Sequence, residues 1–298
     1  MKNNELLQRV LVALVGIPIG LYLILSGGIG FVLVIAVLSS IGLWEFFNMM
    51  LIKGFKPLVY AALLFNFFAT IFSGIMIVDG QFILSLLFLI GNGVAFVVLT
   101  LLIQLWDQSK TPIENSFVNL FGLTYVGIFF ITLIFIRNFD VVVNFMHNIM
   151  PLQIGLELAN KEIWGKIVLI HLTAIWICDS AAYFVGKAMG KNKLFERHSP
   201  KKTWEGAIGG MVASLIYFVV MLYFFTPQIS YFHGIIMGII VGVFGQLGDL
   251  IESQFKRYAG VKDSSHLIPG HGGVLDRFDS ILFTSPIMLI YLFFVLFF

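Results

Sequence analysis

An all-α, polytopic membrane helix bundle of about nine transmembrane helices, with its N-terminus cytoplasmic, is the fold class this sequence predicts. Three observations carry that expectation. Hydrophobic residues make up 59% of the chain and charged residues only 11%, less than half the roughly 25% with which a soluble domain covers its surface. The apolar residues fall into long runs broken by short polar turns, as required where every backbone group must be bonded within its own segment. Lys and Arg are distributed very unevenly between alternate connections. Soluble, disordered and disulfide-scaffold classes are excluded on composition, and the lack of period-two alternation argues against a β-barrel. The single cysteine, Cys178, forms no intrachain disulfide and leaves the redox compartment open.

The first run, 10–26, follows Lys2 and Arg9 as a secretory leader would, but its length and the lack of an A-x-A site favour an uncleaved span. Gly27-Gly28 turns the chain into 29–47, and Lys53-Gly54-Phe55-Lys56-Pro57 ends that unit. Spans 57–78 and 82–105 flank Asp79-Gly80, and polar residues from Asp107 to Asn115 precede 117–136. Segment 137–165 is mixed in polarity and has room for a short interfacial helix. Spans 166–187, 205–225, 231–252 and 278–297 complete the nine. The expected organisation is therefore N-terminal transmembrane helices over 1–136, an extracytoplasmic connection over 137–165, and a catalytic region over 166–298 with cytoplasmic loops 188–204 and 253–277.

Nine spans put the N-terminus and the connections after spans two, four, six and eight on one side, with 15 of the 18 Lys and Arg residues. Arg137, Lys161 and Lys166 are left on the other. The positive-inside rule makes the first side cytoplasmic. Glycines recur four apart at Gly16 and Gly20, at Gly206 and Gly210, and at Gly234, Gly238 and Gly242, which predicts close helix packing through small faces. A homodimer could use the same glycines.

The chemistry gathers in the last 120 or so residues. Asp179 lies inside the sixth span, Asp249 and Glu252 end the eighth, and Asp276 and Asp279 open the ninth. Intramembrane carboxylates are costly and mark candidate sites, the bland alternative being a structural partner for a nearby Lys or Arg. Asp249, Glu252, Ser253 and Lys256 are spaced to share one helical face, as are Asp276 and Asp279. Two such helix ends meeting would form a hard-oxygen site suited to magnesium. Ten basic residues stand around these acids, counting Lys187. They suit a polyphosphate held through Mg²⁺, and equally a contact with anionic lipid headgroups. No Walker A or G-x-S-x-G is present, and His198, His266 and His271 lack the spacing and cysteine partners of a zinc site.

The stretch from Ser253 to Asp279 reads S-x-x-K-R-x4-K-D-x5-P-G-H-G-G-x-x-D-R-x-D. It resembles the signature of the phosphatidate cytidylyltransferases, also called CDP-diacylglycerol synthases, at every fixed position. Asp179-Ser-Ala-Ala-Tyr183, Gly186-Lys187 and the segment Ser199 to Gly206 look like that family's other shared segments. The close resemblance covers about 165–285; the first five spans match only in character and number.

The resemblance implies conversion of CTP and phosphatidate to CDP-diacylglycerol and pyrophosphate by a multi-pass protein of a bacterial plasma membrane, its site facing the cytoplasm. It implies Mg²⁺ on Asp249 and Asp276, and admits a second, monovalent cation. Lys256, Arg257, Lys262 and Arg277 are expected to contact phosphates, with Asp263 and Asp279 supporting them or the metal. Ser199, Lys201, Lys202, Thr203, Asp179, Ser253, His271 and Gly272 are the expected substrate-binding residues. Membrane lipid is an expected partner and nucleic acid is not. An ion-coupled transporter is the alternative that also places acids in spans, although it does not need a dense basic loop closing on them. The pattern of a CDP-alcohol phosphotransferase is absent.

Overall fold

The first two helices show how this chain turns inside an apolar medium. In the computed structural model, which describes residues 2–107, 111–149, 156–196, 199–268, 270 and 272–297, α1 (Lys2–Ser26) and α2 (Gly28–Ile52) meet at Gly27 and Gly28. Both glycines have φ near +65°, a region that suits residues without a Cβ. The turn leaves carbonyls at the end of α1 without helical partners. Arg137, only 1% exposed, donates Nε to the Ile24 carbonyl at 2.6 Å and Nη2 to that of Leu25 at 2.7 Å. A third bond reaches the Lys161 carbonyl at 3.1 Å. This one side chain thus ties three segments together.

α3 (Val59–Val78) and α4 (Phe82–Gln104) form an antiparallel pair through Gly80, and α4 exposes most of its surface. Polar side chains join neighbouring spans: Asn66 donates to Ser39 Oγ at 2.9 Å, and Ser85 to the Ser73 carbonyl at 2.9 Å. The fifth span is assembled from α5 (Pro112–Gly122), a π-turn at Leu123–Ile128 and α6 (Phe129–Arg137). It is the most buried span. The amphipathic α7 (Phe139–Ile149) and a 3-10 turn at Leu156–Ala159 occupy the mixed segment, as the sequence predicts.

α8 (Lys161–Met189) starts on the Asn160 cap, whose side chain accepts from Glu162 N. Segment 188–204, read from the sequence only as polar, folds into a hairpin of β1 (Lys193–Phe195) and β2 (Ser199–Thr203). α9 (Trp204–Phe225) follows, then α10 (Tyr231–Ile240), a π-turn at Val241–Gly245, α11 (Gln246–Ala259) and α12 (Leu275–Phe297). α11 continues past residue 252 and stops at Gly260, whose φ of 78° is the left-handed cap. The connection is therefore 260–274. Ser253, Lys256 and Arg257 ride on α11, and Asp276, Arg277 and Asp279 on the first turns of α12.

Eight helices among the described residues are long and apolar enough to cross a membrane. The apolar Leu14–Ser26 part of α1 is shorter. The glycine rows divide. A Cβ at Gly206 would meet the Ala182 carbonyl at 2.7 Å, one at Gly210 that of Cys178 at 2.8 Å, and one at Gly242 the Met211 Cα at 2.6 Å. These rows pack α8, α9 and the α10–α11 span within one chain. At Gly16 and Gly20 an added Cβ would meet nothing within 4 Å. Close packing, expected there from the same spacing, is absent because a cavity separates these glycines from α2 and α8.

Candidate active site

The site lies where α8, β2, α11 and α12 converge. Lys256, on the last turns of α11, has its ammonium between Glu252, one helical turn back, and Asp276 Oδ1 at 2.6 Å on α12. Glu252 is 1% exposed, and a buried carboxylate of that kind needs a cation. Asp276 directs its second oxygen at the connecting loop: Oδ2 accepts from Ser264 N and Ser264 Oγ, both at 2.9 Å, and from Gly273 N at 2.8 Å. Gly272, at φ 82°, lies so close that a Cβ would meet Asp276 Oδ2 at 2.8 Å. Glycine is required there for approach as well as conformation.

Loop and helix start are held from across the bundle by a residue the sequence reading passed over. Glu45, on α2, is fully buried. Its Oε1 accepts from Ser265 Oγ at 2.6 Å and Val274 N at 2.9 Å; Oε2 accepts from Leu275 N at 2.8 Å and lies 3.0 Å from Ser264 Oγ, whose single proton it shares with Asp276. The two amides are unpaired donors at the start of α12, where a carboxylate is favoured. The signal was available: Glu45 is the one acid in the run 29–47, and an intramembrane carboxylate is a site candidate wherever it falls.

Asp249, about two turns before Lys256 on α11, pairs with Lys202 Nζ at 2.6 Å and accepts from Ser253 Oγ at 3.3 Å. Lys202 comes from β2, so the basic hairpin closes on the α11 acids. Glu205 anchors the hairpin base, accepting from Lys191 N at 3.1 Å and Asn192 Nδ2 at 2.8 Å. Thr203 caps α9 by accepting from Gly206 N at 3.2 Å. A cavity of about 450 Å³ opens between these elements, lined by Asp179, Lys187, Lys201, Lys202, Thr203 and Asp249 among others. That is within the size range of small-ligand sites. Asp179, Asp249 and Asp279 lie within electrostatic reach of one another.

Other expected residues stand further out. Arg257 is exposed and donates to the Val261 carbonyl at 3.2 Å; Lys262 and Asp263 are exposed in the loop and form no ion pair among the described residues. Ser199 pairs with Phe195 in the hairpin and does not line the cavity. Arg277 is exposed on α12 and reaches a separate groove. Arg197, His198, Pro269 and His271 lie outside the described residues.

No three His, Cys, Asp or Glu side chains among the described residues form a ready metal cage. Mg²⁺ seldom uses one: it takes one or two carboxylates, waters and substrate phosphates. Oxygen-only carboxylates beside lysines fit that habit: Asp249 and Asp279 lie within electrostatic reach of each other, and Asp276 would exchange its Lys256 contact for the ion.

A model of a family described as the cytidylyltransferase family matches residues 7–295. A phosphatidate cytidylyltransferase of Staphylococcus haemolyticus is 33% identical over 280 residues, covering 94% of this chain and 96% of that protein. One from Bacillus subtilis is 33% identical over 288 residues, covering 95% and 96%. One from Staphylococcus aureus is 49% identical over 121 residues, covering 41% and 46%.

Proposed function

The chain belongs to the cytidylyltransferase family, and from that premise we propose that it converts CTP and phosphatidate to CDP-diacylglycerol and pyrophosphate at the α8–β2–α11–α12 site. The observation that carries the reading is the Lys202–Asp249 contact, which brings a lysine-bearing hairpin onto a group of acids beside a cavity of ligand size. The ion-coupled transporter has no support, since the family match spans nearly the whole chain.

The phosphatidate phosphate is a monoester with a second pKa of about 6, so at neutral pH its oxygen is already an anion. It attacks the α-phosphorus of CTP, a new P–O bond forms, and the bond to the bridging oxygen breaks to release pyrophosphate. Such a transfer needs alignment and charge neutralisation more than a general base. Lys187, Lys201 and Lys202 line the cavity and would hold the triphosphate there. Glu252 and Asp276 hold Lys256 in place beside the reacting groups. Glu45 and Ser264 fix the loop and the start of α12. Asp249, Asp276 and Asp279 are the carboxylates that would hold Mg²⁺, which when bound neutralises charge on the transferring phosphate. We place the site on the cytoplasmic face of a bacterial plasma membrane, because the lysine-rich connections share one side.

Radiolabelled CTP, supplied with phosphatidate and Mg²⁺ to the purified protein in detergent, tests the reaction. Label entering the organic phase, dependent on both lipid and Mg²⁺, is the expected result; label that stays aqueous would falsify it.

A further inference from the structure

A second cavity, of about 290 Å³, lies between α1, α2, α8 and the start of α12. Leu21, Ile35, Leu38, Leu172 and Trp176 are among its apolar walls, and Arg277 is the one charged residue of its lining among the described residues. α8 carries this groove and the polar cavity end to end. Val168, Leu172 and Trp176 line the groove; Asp179, Tyr183 and Gly186 line the polar cavity. The steps are three or four residues, so all six share one helical face. Polarity changes between Trp176 and Asp179, about 4.5 Å of helix rise. Gly16 and Gly20 leave the α1 wall open, and Gly16 to Ile24 spans about 12 Å along it.

We propose that this groove receives an acyl chain of the phosphatidate substrate, with the lipid phosphate turned toward Arg277. The assignment rests on the reaction proposed above. Charge complementarity selects the occupant: an apolar trough ending in one guanidinium matches an anionic head on an apolar tail. Arg277 directly follows Asp276 on the first turn of α12, about 100° around the helix, so a phosphate held there lies one residue from an acid of the site. A larger aromatic cavity, about 630 Å³ and lined by Phe46, Phe117, Phe121, Phe255 and Tyr258 among others, has no cation in its described lining, and Lys53, at its edge, lies over the Tyr258 ring. Tail and nucleotide thus approach along one face of α8, the tail from the apolar end and CTP from the lysine end.

The test uses the full-length protein in detergent with dioleoyl and dihexanoyl phosphatidate. Gly20→Leu and Leu172→Trp place side chains in the trough, and the ratio of kcat/KM for the long-chain over the short-chain lipid falls on the order of tenfold or more, as expected when a reacting group is misplaced. Ile90→Trp, at a position 63% exposed on α4, leaves the ratio at the parent's value. Arg277→Ala raises KM for both lipids more than for CTP, and Arg277→Lys recovers part of the loss. A phosphatidate with a diazirine at its acyl terminus labels α1 and α8 of the parent protein. Labelling confined to α5 and α11 around the aromatic cavity overturns the groove while leaving the reaction standing, as do trough variants that match Ile90→Trp. A parent that transfers no label from CTP to lipid overturns the reaction itself.

Discussion

Asp249 and Asp276 are both carboxylates at the site, but their surroundings differ, and so do the expected effects of replacing them. Asp249 is partly exposed and, among the described residues, pairs with Lys202 as its one basic side chain. Asp249→Asn should lower turnover on the order of 100-fold or more, through lost charge stabilisation of the transferring group, with little change in melting temperature. Asp276 also accepts three bonds from Ser264 and Gly273. Asp276→Asn should lose turnover and lower the melting temperature, because an amide NH₂ placed against those donors leaves buried groups unpaired. Rates across a Mg²⁺ titration, paired with detergent melts, separate the two; near-full activity of either variant at limiting Mg²⁺ would refute the metal assignment, and EDTA should silence the parent. Glu45 accepts from Ser265 Oγ and from two backbone amides that cannot reverse direction, and shares the Ser264 proton with Asp276. Glu45→Gln should cost about 1–3 kcal/mol, whereas Ser265→Ala removes one donor and should be milder. Equal melting temperatures and rates for these two variants would leave the clamp without a role.

At the scale of elements, the hairpin and α11 act together. If the lysines only greet anionic headgroups, each removal costs about 1 kcal/mol, alike for all. If they grip one polyphosphate, Lys202→Ala should reduce kcat/KM far more than Lys53→Ala, whose ammonium lies 4.9 Å over the Tyr258 ring outside the cavity. Combining Lys202→Ala with Lys187→Ala, which lines the same cavity, should then be non-additive. Initial rates at fixed lipid mole fraction supply the cycle. Strict additivity, with Lys53→Ala as harmful as the rest, would support headgroup contacts instead. The sequence located the basic stretch here but not its hairpin, since alternation over three to five residues is too short a pattern to read among lysines.

For the whole molecule, the uneven Lys and Arg distribution predicts a fixed orientation. With buried Cys178 replaced by Ala, Asp79→Cys should react with an impermeant maleimide in intact cells, and Lys262→Cys only after permeabilisation. The reverse pattern would place the lysine-rich face outside and remove CTP from reach. The same bundle explains why the first five spans accompany a site whose motif lies in the last 120 or so residues. α2 supplies the clamp, and α1 and α2 supply walls of the lipid groove.

The sequence alone determined the membrane class, most span positions, the acids and the signature loop, because hydrophobicity, charge and motif spacing are local properties. Only the tertiary structure decided that Glu45 grips amides 229 and 230 residues away, that Lys202 reaches Asp249, and that Gly16 and Gly20 open a groove while Gly206 and Gly210 close an interface. The physical reason lies in the solvent. Lipid tails are as apolar as the side chains that pack between helices, so an apolar pattern identifies a span without revealing which of its faces meets a partner.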